Sequence, residues 1–125
     1  MKRALVLLVV AAVAAVAIDL ISDATQTRPD ASQPRHRTEI VYRVTARGQP
    51  ELAAAQGLWG ACQGTALRTV LPPGITAAGD GRFRLVVQPA LGRHARDRLT
   101  GCLEDLTIDD VKGRVVSMRQ LPPTR

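Results

Sequence analysis

A chain of 125 residues, 46% of them hydrophobic, has room for one domain built on one core and excludes a two-domain organisation. Its 17 lysines and arginines outnumber its 11 carboxylates for a formal charge of +6. Nucleic acid is nevertheless not an expected partner, because Tyr42, Trp59 and Phe83 are the only aromatics, too few for the stacking platforms that hold single strands and RNA loops.

The N-terminus opens with the basic triplet Met1-Lys2-Arg3, and residues 4–18 form an unbroken apolar run. This is the form of a secretory signal. Fifteen residues make about 22 Å of helix, short of the roughly 20 residues that cross a bilayer core, and extending the run to Ile21 takes in Asp19. Small residues stand at cleavage spacing in Ala15-Val16-Ala17 and Ser22-Asp23-Ala24. Residues 1–24 are therefore expected to be a signal peptide or a short membrane anchor. If the segment is not cleaved, residues 4–21 contact the membrane; in either case the remainder lies outside the cytoplasm, secreted or tethered to the cytoplasmic membrane. The segment contains Lys2 and Arg3 against Asp19 and Asp23, so the +6 charge belongs to the rest of the chain.

Residues 25–37 lack apolar periodicity and contain Pro29 and Pro34, which predicts a flexible linker. His36, between Arg35 and Arg37, reads there as a solvated side chain. The folded domain is expected over residues 38–121, with 122–125 as a tail.

Within that domain Ile40, Tyr42, Val44 and Ala46 alternate with Glu39, Arg43, Thr45 and Arg47, predicting a half-buried strand. Pro50 and Glu51 suit the first turn of a helix. Leu52, Ala55, Leu58, Trp59 and Cys62 continue it at helical spacing until Gly64. A weaker strand is predicted over residues 66–71, interrupted by Pro72-Pro73-Gly74 and resumed near Ile75; prolines of this kind belong at a sheet edge. After the Asp80-Gly81 turn, Phe83, Leu85 and Val87 alternate with Arg82, Arg84, Val86 and Gln88 until Pro89. Beyond Gly92 the residues Ala95, Leu99, Cys102, Leu103 and Leu106 recur as one apolar stripe, predicting an amphipathic helix. The Asp109-Asp110 turn then leads into a last strand over residues 111–121.

The order β-α-β-β-α-β resembles the ferredoxin-like split β-α-β arrangement, which implies an α+β fold with a four-stranded antiparallel sheet and two helices on one face. The resemblance implies architecture and no activity.

Two cysteines in a small exported domain read as a disulfide. Closing the loop from Cys62 to Cys102 contributes about 4 kcal/mol in the chain-entropy model. The pairing requires the two helices to cross near the cysteines, and Gly60 and Gly101 are the expected points of close approach.

Candidate chemistry is sparse. His94 is the only histidine of the predicted domain, with Asp97 and Arg98 close by in sequence, and a general base there needs a nucleophile and an orienting partner. The pairs Glu104-Asp105 and Asp109-Asp110 read as a solvated helix end and a turn, and Gly79-Asp80-Gly81 lacks a phosphate-cradle pattern. No metal ligand set has the required spacing, and no cofactor is expected. The remaining feature is the open face of the sheet, where Arg43, Arg47, Arg82 and Arg84 are expected together, with Lys112 and Arg114 as further candidates from the last strand. The expectation is a non-enzymatic accessory or binding domain whose basic face meets an anionic protein or cell-surface partner. The alternatives are a small hydrolase or transferase using His94, and an inhibitor or propeptide-like module.

Overall fold

The computed structural model describes residues 2–24, 30, 33–67 and 74–123. Helix α1 (Lys2–Ala24) is continuous over 23 residues, about 34 Å at 1.5 Å per residue. It runs through Asp19 instead of ending with the apolar run. Within it Ala4–Ser22, 19 residues of mean hydropathy 2.9 near the N-terminus, is long and apolar enough to cross a membrane, and its most apolar window has no buried residue. A helix this long and apolar fits either a signal peptide or a transmembrane helix.

The rest is an α+β unit around a four-stranded antiparallel sheet. Strands β1 (Arg37–Thr45), β2 (Thr76–Ala77), β3 (Arg82–Val87) and β4 (Lys112–Leu121) lie in the order β2-β3-β1-β4. Two helices of the folded part follow β1 and β3: α2 (Glu51–Cys62) and α3 (Arg93–Asp105). The alternation read from sequence sets the inward face. Ile40, Tyr42 and Val44 from β1 and Phe83, Leu85 and Val87 from β3 are buried against Ala55, Leu58 and Trp59 of α2 and Leu99 and Leu103 of α3. Tyr42 is wholly buried yet satisfied, since its hydroxyl donates to the Ala55 carbonyl at 2.9 Å. Burial pushes its phenol above the ordinary value, so it stays a protonated donor.

Two sequence expectations are corrected. The strand predicted from residue 66 does not start there: Ala66 and Leu67 close the 3-10 turn Gln63–Thr65 by donating to the Gln63 carbonyl, and residues 68–71 lie outside the described ones. The edge strand that forms is only Thr76–Ala77, paired with Arg84 and Phe83, consistent with prolines just before it. The glycines expected at the helix crossing are also not at a close approach. A Cβ added to Gly60 would meet nothing within 4 Å, and one on Gly101 only Asp105 at 3.8 Å.

Cys62 and Cys102 are nevertheless disulfide-bonded, with Cα atoms 5.6 Å apart. The bond joins the last residue of α2 to the C-terminal half of α3, and Arg98 Nε donating to the Thr65 carbonyl at 2.9 Å ties the following turn to the same stretch. The helices overlap end against half, not midpoint to midpoint, which is how two cysteines near C-termini can meet. The glycine the packing requires is Gly113 on β4, where a Cβ would overlap the Leu103 carbonyl oxygen and lie 2.5 Å from Leu58 Cδ2.

Candidate anion-binding face

The register brings the outward residues of β1, β3 and β4 into rows. Arg43 stands opposite Arg82 on one side and Arg114 on the other, so three arginines share one cross-strand row with neighbouring Cβ atoms about 5 Å apart. The row arises because period-two strands place these residues away from buried Tyr42, Val44 and Phe83, and because antiparallel pairing aligns the first residue of β3 and the third of β4 with the seventh of β1.

The next row is Arg84, Val41 and Ser117, and beyond it stand Val86, Glu39 and Arg119. Glu39 is only 7% exposed. One of its oxygens, Oε1, accepts from Arg119 Nε at 3.1 Å and Nη2 at 2.6 Å, and Oε2 lies 3.7 Å from Arg84 Nη1. Arg84 is thereby engaged within the protein. Arg82 reaches Asp80 at 3.2 Å, but that carboxylate is 80% exposed, where an ion pair contributes little. Arg43 and Arg114 are exposed and have no carboxylate partner among the described residues.

Of the four arginines expected to act together, Arg43 and Arg82 are thus brought side by side, Arg84 is turned toward Glu39, and Arg47 lies beyond β1 in the bend before Gly48. Arg114 completes the row. Sequence reasoning missed Arg119 as the partner of Glu39, because a bulge after Val41 shifts the β1–β4 register and no local pattern announces it.

His94 is half-buried in the first turn of α3. Its backbone N–H donates to Asp30 Oδ1 at 3.1 Å, and that of Ala95 to Asp30 Oδ2 at 2.8 Å. Asp30 thus caps a helix whose own N-cap, Gly92, has no side chain and whose first turn holds no acid; a carboxylate there satisfies orphan donors and complements the helix dipole. Gly92 is required for this, since a Cβ would overlap the Asp30 side chain. Asp97 is exposed, and Arg98 has the structural bond to Thr65. A cavity of about 110 Å³ between α2 and the 108–111 turn, lined by Gln49, Leu58, Asp109 and Val111 among others, is smaller than the roughly 300–1,000 Å³ of small-molecule sites. No cluster of three or more His, Cys, Asp or Glu able to hold a metal is present among the described residues.

Comparison with protein-family models, with curated proteins and with solved structures finds no match to this chain.

Proposed function

We propose that this is an exported, non-enzymatic binding domain of ferredoxin-like arrangement, secreted or held at the membrane by α1, whose open sheet face takes an anionic partner. The strand order read from the other edge, β4-β1-β3-β2, with a helix after β1 and another after β3, supports the fold reading. The apolar N-terminal helix and the disulfide support export.

The observation that carries the binding reading is the row Arg82–Arg43–Arg114. Like charges directly opposite on a sheet destabilise it by a few tenths of a kcal/mol per pair, so a row with no acid in it is a standing cost that a bound anion removes. Guanidinium forks suit phosphate or carboxylate oxygens taken in pairs.

The full chain in detergent is expected to bind immobilised inorganic polyphosphate at low salt and to release as salt screens the contacts. Arg43→Gln combined with Arg114→Gln should weaken that binding by about tenfold or more, the effect of losing some 1.4 kcal/mol, while leaving the fold slightly more stable. Equal binding by both proteins would return the face to a solubility role. Export has its own test. Intact-mass analysis of the natural protein should find it in membrane or secreted fractions, starting at Met1 if anchored or near Ile18 or Thr25 if cleaved; a cytosolic protein would end the export reading.

A further inference from the structure

Asp30, Gln33 and Pro34, which lie between α1 and β1, are held to one end of the domain. Asp30 receives two backbone N–H groups of α3, the Pro34 carbonyl accepts from Gln88 Nε2 at 2.9 Å, and Gln33 pairs with the Gln120 side chain. The cleft beside Gly92 is shaped for this, because any Cβ there would collide with Asp30. Only the five residues 25–29 separate the last residue of α1 from Asp30. Six Cα-to-Cα steps span about 20 Å at full extension, so the clamped end of the domain cannot stand farther than that from the end of α1.

That end of the domain is defined by the topology. β1 starts there with Arg37 opposite Leu121, β3 finishes with Val87 opposite Thr38, and α3 begins with Arg93. It carries the exposed cations Arg35 and Arg93 and the half-buried Arg96 and Arg37, the last with its Nε enclosed, against Asp97 and the capping Asp30. Arg43 lies six residues farther along β1, about 20 Å away at 3.3 Å per residue, and its row occupies the opposite end of the sheet.

We infer that, when α1 is retained as a membrane anchor, the α3 N-terminal end rests on the anionic headgroups of that membrane and the row Arg82–Arg43–Arg114 lies at the far end of the domain from it. The inference rests on the tethered form of the function proposed above and deepens it, since the partner of the arginine row then has to approach from the space beyond the membrane and is not the anchoring leaflet. A short tether supplies proximity, and basic side chains at its docking end supply contact-range attraction that survives screening by physiological salt.

The test is amide resonance broadening in the full chain, inserted into nanodiscs of phosphatidylcholine and phosphatidylglycerol containing a gadolinium-headgroup lipid. The amides of Thr38, Arg93 and Arg96 should broaden several-fold more than those of Gly81, Arg82 and Gly113. Equal broadening at both ends, or greater broadening at Arg82, would overturn the orientation even with α1 inserted. Solvent-exchange protection of the α1 amides reports insertion separately, and an unprotected α1 would overturn the tethered reading and this inference with it. Gly92→Ala keeps backbone angles that alanine adopts freely, φ −74° and ψ 177°, but evicts Asp30. It should reduce the contrast between the two ends several-fold, and an undiminished contrast would show that the clamp does not set the orientation.

Discussion

Replacing both Cys62 and Cys102 by alanine is expected to lower the midpoint of thermal unfolding by roughly 15–30 °C. The bond closes a loop with a sequence separation of 40, which in the chain-entropy model removes about 4 kcal/mol of freedom from the unfolded chain. In a domain of this size each kcal/mol moves the midpoint by about 4–8 °C. The loss is large beside the total stability of a small domain, roughly 5–15 kcal/mol, so the reduced protein stands near the edge of folding. Alanine avoids placing a hydroxyl at the Cys62 position, which is wholly buried. Circular dichroism melts of the oxidised chain, the chain treated with reductant and the double variant, all in the same detergent, check this. The reduced chain and the variant should agree with each other, and a midpoint within about 3 °C of the oxidised protein would mean that packing alone holds α2 against α3.

The second large effect is expected at Gly113, with opposite signs at two other glycines serving as the control. Gly113→Ala should cost about 2–3 kcal/mol, because the new methyl overlaps a backbone oxygen of α3 and falls 2.5 Å from Leu58, and strand and helix can only separate at the expense of the core between them. Gly57 and Gly60 are exposed positions of α2 where an added methyl would have no neighbour within 4 Å. Alanine there removes the conformational cost of glycine in a helix, so each change should stabilise by about 0.5–1 kcal/mol. Urea titration of the three variants measures all of this. A neutral Gly113→Ala would show that β4 and α3 are not in the contact described, and a destabilising Gly60→Ala would restore a packing role to that residue.

Much of the architecture is legible in the chain. The alternation around Tyr42 and around Phe83 and the apolar stripe from Ala95 to Leu103 name the apolar core residues Ile40, Tyr42, Val44, Phe83, Leu85, Val87, Ala95, Leu99 and Leu103, because burial of one face of a strand or helix imposes its own period on the sequence. They do not name Thr38 and Glu39, which are buried as well. The disulfide follows from a count of two cysteines in a chain with an N-terminal apolar helix. Hydropathy understates the length of α1 because it marks where apolar residues end, whereas a helix continues as long as its backbone bonds are made, here through Asp19 to Ala24.

What the local pattern cannot carry is which residue faces which across the fold. Period two says that Arg43, Arg82, Arg84 and Arg114 point outward, but only register places Arg43 between Arg82 and Arg114 and leaves Arg84 beside Glu39. Helix propensity marks Gly60 and Gly101 as costly, but only the crossing of α3 over β4 shows that the space is needed at Gly113. Nothing near Gly92 in the sequence points to Asp30, 62 positions earlier, as the cap of α3. The inward faces of β1, β3 and α3 are legible before folding because each is written in spacings along one segment, whereas the edge strand is not, its expected start at residue 66 closing a 3-10 turn instead. The arginine row, the Glu39 ion pairs and the Asp30 clamp have no such local signature, since each depends on the distance between segments that meet only after the chain has folded.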